Sequence, residues 1–100
     1  MVKTEILNVN GNAVQGVLIH APGGEGHPNM IALVCKHGYI MCGYLNQEAA
    51  TNFGDTACVI GGSSFEDILA NPVKAVLPEA EKLGIKIGMT GAEVCDILNK

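Results

Sequence analysis

The sequence predicts an α+β domain built on a mixed sheet, with antiparallel hairpins at the N-terminus followed by βαβαβα units. Three observations carry this. Residues 2–45 read as short apolar runs parted by turn residues, with no helical periodicity. Residues 46–100 alternate β-rich runs with segments that open on a capping residue and close on glycine or Asn-Pro. The span from Leu77 to Ile85 is shorter than the dozen or so residues a parallel crossover needs, so antiparallel pairs are expected beside the parallel ones.

Val2 to Val9 is the first strand, and Asn8-Val9-Asn10-Gly11-Asn12 turns it, because Asn and Gly tolerate positive φ. Ala13 to His20 is the second. Val17 and Ile19 share one face and Val14 and Leu18 the other, so both faces are expected to be covered. Ala21 to Pro28 contains Pro-Gly-Gly-Glu-Gly-His-Pro, a loop for which a lid and a plain surface tip are both open readings. Met30 to Lys36 and Tyr39 to Leu45 are two more strands, joined at His37-Gly38.

Asn46 caps a short helix that runs through Phe53 and ends at Gly54. Thr56 to Ile60 is a strand, broken by Gly61-Gly62. Ser63-Ser64 opens a helix in which Ser63 and Glu66 fit a capping box. Phe65, Ile68 and Leu69 form its buried stripe, and Asn71-Pro72 ends it. Val73 to Leu77 is a strand, and Pro78 takes the first position of a helix that stops at Gly84. Ile85 to Met89 is expected as a last strand. Thr90 and Glu93 make a second capping box, and Val94, Ile97 and Leu98 give the final buried stripe.

At 100 residues the chain is expected to be one domain over residues 1–100, and it shows no internal repeat or linker. Only 16% of residues are charged and 48% are apolar, which excludes a disordered chain. The net charge of −4 argues against a general nucleic-acid binder. No apolar run approaches the roughly 20 residues of a membrane helix. The first residues lack a secretory pattern, so a cytoplasmic chain is expected, with Cys35, Cys42, Cys58 and Cys95 as reduced thiols. They form no C-x-x-C pair, and His20, His27 and His37 stand at no ligand spacing, so neither metal nor cofactor is assigned.

Candidate chemistry gathers at strand ends. Cys42 sits late in its strand, just before Gly43 and close to the helix capped by Asn46. It reads first as a buried small apolar residue among Ile40 and Leu45, and second as a catalytic nucleophile with a helix N-terminus or His37 at hand. Cys35, Cys58 and Cys95 read as core residues. Gly61, Gly62, Ser63 and Ser64 form a strand, a glycine pair and a helix N-terminus, a combination that favours anions. Gly88-Met89-Thr90-Gly91 repeats the design, and neither stretch is a nucleotide P-loop. If the two preceding strands are parallel, both turns open on one edge, which places a ligand at Gly61, Gly62, Ser63, Ser64, Thr90 and Gly91. Asp55 reads as a turn acid or an acid–base group; Glu66, Asp67 and Glu93 read as first-turn carboxylates.

Cys42-Gly43-Tyr44-Leu45-Asn46, Ser64-Phe65-Glu66-Asp67-Ile68-Leu69 and Gly84-Ile85-Lys86-Ile87-Gly88-Met89-Thr90-Gly91-Ala92-Glu93 together resemble the YunC-like family, also called the DUF1805 domain. The resemblance covers nearly the whole chain. It implies a mixed α and β fold and tetramers joined through N-terminal β-structure, and it implies no established activity. The family pattern reads Gly-Val where this chain has Gly61-Gly62. Self-association is expected on composition as well. A domain this small buries only about 60–70% of its surface alone, and the Met30–Cys35 and Tyr39–Leu45 runs carry more apolar side chains than one sheet face needs. Three readings follow: a binding module for a small anionic metabolite on a homo-oligomeric scaffold, a thiol enzyme using Cys42 with the glycine turns as oxyanion donors, and a structural or partner-binding oligomer.

Overall fold

A computed structural model describes residues 2–20 and 29–100. The Ala21–Pro28 loop lies outside the described residues, so neither reading of it is taken further. The N-terminal half makes strands β1 (Val2–Val9), β2 (Asn12–Ile19), β3 (Met30–Val34) and β4 (Tyr39–Met41). The second half runs α1 (Gln47–Asn52), β5 (Ala57–Val59), α2 (Phe65–Ala70), β6 (Ala75–Val76), α3 (Pro78–Lys82) and α4 (Gly91–Leu98). All six strands form one sheet in sequence order. Only β4 and β5 pair in parallel; the other neighbours are antiparallel. The predicted mixed α+β class is the observed one.

The first turn follows from local chemistry. Asn10 and Gly11 take φ of 54° and 89°, so a two-residue turn joins Val9 to its partner Asn12. Side chains on the two sheet faces then separate by alternation. Val9, Val14, Leu18, Ile31, Leu33, Ile40 and Cys58 face one way and form the core with Phe65, Ile68, Val94 and Leu98 of α2 and α4. Gly16 leaves the space that the Phe65 ring fills. On the other face a small cluster of Ala50, Ala57 and Leu77 covers β5.

The opposite face of β1–β3 has no layer over it among the described residues. Val2, Ile6, Ile19 and Val34 lie there, exposed by 62, 68, 36 and 43%. Their register places them on that one face: Val2 opposes Ile19, while Ile6 and Val34 flank Gln15. Among the described residues, the expectation that β2 is covered on both faces is therefore not met.

Two further expectations are corrected. Ile85 to Met89 is not a strand. Gly84 and Gly88 both take positive φ, 97° and 96°, and Met89 N–H donates to the Lys86 carbonyl, closing a turn. The apolar alternation of Ile85 and Ile87 imitated a strand, yet Ile85 is fully buried and Ile87 is 71% exposed. The only bridge there joins Pro72 to Thr90. The second correction concerns α2. Its cap is Ser64, whose hydroxyl accepts from Asp67 N–H at 3.1 Å, and Ser63 lies one residue outside. The Thr90–Glu93 capping box of α4 is as expected, and Asn46 caps α1 by accepting from Ala49 N–H.

Candidate functional site

Because β4 and β5 are parallel, their carboxyl ends leave the sheet on the same edge. Open sheets hold ligands beyond such ends. Here β4 runs out into Cys42-Gly43-Tyr44 and β5 into Gly61-Gly62, and Asn29 enters just before the neighbouring strand β3. These six residues line a pocket of about 380 Å³.

Cys42 is only 4% exposed, yet it lines this pocket. Its sulfur accepts from Ile31 N–H at 3.3 Å, and its own N–H donates to the Ile31 carbonyl at 3.0 Å. The thiol is thus fixed from β3. His37 is remote from it: the His37 N–H donates to Leu98 at the other end of β4. The glycine turn is held from two sides. Asn71 donates to the Gly61 carbonyl at 2.7 Å, and Asn29 donates to the Ser63 carbonyl at 3.2 Å. Gly62 packs on the start of α2, where an added Cβ would come within 2.7 Å of Asp67 Cβ. Among the described residues no hydrogen bond engages the amides of Gly43, Gly61 or Gly62. Lys74 brings a cation beside Gly61, since a Cβ on that residue would sit 2.6 Å from its ammonium nitrogen.

The sequence-derived site residues divide. Cys42, Gly61 and Gly62 come together in the pocket. Ser63 and Ser64 stand next to it, but the donors of Ser63 are engaged and the hydroxyl oxygen of Ser64 accepts from Asp67 N–H as the cap of α2. Both the amide and the hydroxyl of Ser63 reach Asp67 Oδ2 at 3.1 Å, and these bonds hold the Asp67 carboxyl below its ordinary range. A carboxylate of the chain itself occupies the mouth of α2. Thr90 and Gly91 do not line the pocket. Thr90 spends its N–H and hydroxyl on Glu93, and Gly91 is buried against the α2 backbone, where a Cβ would collide with the Ile68 carbonyl. The shared edge expected for the two turns required a strand at 85–89, which is absent. Asp55 accepts the Tyr39 hydroxyl at 2.6 Å, tying the end of α1 to β4.

Asn29, Gly43 and Tyr44 were not singled out from sequence. Gly43 and Tyr44 lie inside the Cys42–Asn46 motif, so a signal existed. Asn29 gave none, because only the β3–β4 register brings it to this edge. Among the described residues no group of three or more His, Cys, Asp or Glu could hold a metal ion, and no helix is long and apolar enough to cross a membrane.

This is an α+β protein with a glycine-lined pocket at the carboxyl ends of its one parallel strand pair. The model for the family described as "Domain of unknown function (DUF1805)" matches residues 41–98, a span that contains five of the six pocket residues, all but Asn29. The chain belongs to that family. It is 31% identical over 98 residues to the "Uncharacterized protein YunC" of Bacillus subtilis (strain 168), covering 93% of each chain. A crystal structure of a protein of unknown function from Thermoplasma acidophilum superposes with a TM-score of 0.86 at 29% identity, covering 99% of this chain and 94% of that one.

Proposed function

We propose that the protein is a self-associating, cytoplasmic binding module for a small anionic molecule, held at the carboxyl ends of β4 and β5. One observation carries the reading: the pocket there is lined by glycine backbone whose amides at Gly43, Gly61 and Gly62 have no partner among the described residues. Unpaired backbone donors in a turn suit an anion, and Lys74 adds a positive charge beside Gly61. The ligand contacts named from sequence narrow accordingly to Gly61 and Gly62. Ser63 and Ser64 contribute by holding the turn, and Thr90 and Gly91 by fastening α4 to α2. A thermal-shift screen against carboxylate and phosphate metabolites tests this. A dose-dependent rise in Tm that Lys74→Ala reduces supports it, and a flat response across the library counts against it.

The uncovered face of β1–β3 supports self-association. Four exposed apolar side chains on one flat face form a surface that a second copy would cover. A tetramer joined through these strands is the assembly we infer.

A second reading rests on Cys42. Cys42 lines the same pocket as Gly43, Gly61 and Gly62, whose amides have no partner among the described residues, and a thiol nucleophile with an oxyanion site draws on such a pairing. Rapid, stoichiometric alkylation of Cys42 by iodoacetamide in the native protein would favour this enzyme reading over pure binding. If neither ligand binding nor alkylation is observed, the protein is a structural or partner-binding oligomer.

A further inference from the structure

We propose that Asn10 is a deamidation site whose lifetime is set by Asp96 and Asn8, and whose conversion to a carboxylate releases the β1–β2 turn from α4. The site lies apart from the pocket and rests on other observations. Asn10 is the one asparagine of the chain that is followed by glycine. Glycine has no Cβ to hinder approach, so its backbone nitrogen reaches a preceding side-chain amide more readily than that of any other residue. Asn10 and Gly11 are both exposed in the turn, at φ of 54° and 89°. Hydrogen bonds engage both reacting groups. Asn10 Nδ2 donates to the two carboxylate oxygens of Asp96 on α4, at 3.1 and 3.0 Å. The Gly11 N–H donates to Asn8 Oδ1 at 2.9 Å. Among the described residues the Asp96 carboxylate has no other hydrogen-bond partner and no cation paired with it.

The leaving group is thus held by Asp96 and the nucleophile by Asn8. For reaction the Asn10 side chain must leave Asp96 and bring its Cγ onto the Gly11 nitrogen, and that nitrogen must leave Asn8. The nitrogen then attacks Cγ. An N–Cγ bond forms, the Cγ–Nδ2 bond breaks, and Nδ2 departs as ammonia with the Gly11 proton. Water opens the resulting five-membered imide at either of its carbonyls, and position 10 becomes aspartate or isoaspartate. No oxidant or reductant takes part. The product places a carboxylate where an amide had donated to Asp96. Two like charges at that distance repel, with no cation between them to offset it. Among the described residues the Asn10–Asp96 pair is the one side-chain hydrogen-bonded tie between the turn and α4, so its loss frees the hairpin tip from the helix. The change runs one way, because the ammonia is lost.

The test incubates the folded wild type, Asp96→Ala and Asn8→Ala in mildly alkaline buffer at physiological temperature. Fragmentation mass spectrometry then follows aspartate and isoaspartate at each asparagine. Conversion should begin at Asn10, ahead of Asn8 and Asn12 beside it. Removing either guarding hydrogen bond should speed it roughly 3- to 10-fold. Should Asp96→Ala fail to fold by circular dichroism, Asn8→Ala carries the kinetic arm, because it frees the Gly11 amide and leaves α4 untouched. Asn10→Asp tests the release. Its amide NMR signals should move at the turn and around Asp96 while those of the remaining core stay in place, and its Tm should fall below that of the wild type. Variants that convert no faster than the wild type overturn the guarding role. Conversion at another asparagine ahead of Asn10, or Asn10→Asp signals around Asp96 that coincide with the wild type, overturn the proposal as well.

Discussion

Replacing Ile6 with Glu should dissociate the protein without unfolding its protomer. Ile6 is 68% exposed and points away from the core formed with α2 and α4. Full burial of an isoleucine side chain is worth about 1.5–3 kcal/mol. With 68% left to cover, each copy contributes about 1–2 kcal/mol to an interface on this face. Where a two-fold axis brings both copies of Ile6 into the contact, the sum of about 2–4 kcal/mol weakens association roughly 30- to 700-fold. The introduced carboxylate adds a desolvation cost in the same direction. Size-exclusion chromatography with light scattering at micromolar concentration reads the outcome. The wild type should elute as a tetramer and Ile6→Glu as a smaller species with unchanged far-UV circular dichroism. A monomeric wild type, or an assembly that survives Ile6→Glu intact, would refute the assignment of this face.

Other outcomes follow from the same geometry. Gly91→Ala puts a methyl group onto the Ile68 carbonyl and 2.9 Å from Leu69 Cα, both backbone atoms. Overpacking of this kind costs about 1–3 kcal/mol, so Tm should drop by at least about 4 °C; an unchanged Tm would show that α2 yields freely. Thr90→Ala removes the hydroxyl that accepts from Glu93 N–H and should lose about 1 kcal/mol in urea unfolding. Tyr39 is pushed up from 10.0 to about 12, first by burial and then by the hydrogen bond and charge of Asp55. Between those values the unfolded chain releases this proton while the folded chain keeps it, so stability should fall as pH rises through that window. Tyr39→Phe should flatten that alkaline limb, and an identical limb in the variant would assign it to other groups.

Most of the fold was legible because local chemistry and tertiary structure agree. The Asn10-Gly11 turn, the Asn46 cap, the Pro78 helix start and the Thr90–Glu93 box each depend on contacts within a few residues. The segment 85–89 was misread because apolar alternation signals side-chain direction only where the backbone stays extended, and Gly88 at φ 96° bends it. Ser63 and Ser64 are both good caps, and the choice between them rests on where the chain leaves Gly62, a tertiary matter. The pocket was half legible. Cys42 and the Gly61-Gly62 pair announced themselves as strand ends, but their meeting required β4 and β5 to be parallel neighbours. Thr90 and Gly91 carry the same local signal as Gly61–Ser64, yet packing against α2 uses it up.

The proposed anion site is tested most directly by an amide-resolved NMR titration of isotope-labelled protein with inorganic phosphate, succinate and citrate. The amides of Gly43, Gly61 and Gly62 should shift first and saturably with at least one of them, and Lys74→Ala should weaken the apparent affinity without moving the unliganded glycine signals far. Saturable shifts at Thr90 and Gly91 in their place, or no saturable shift at the three glycines with any of these anions, would contradict the site.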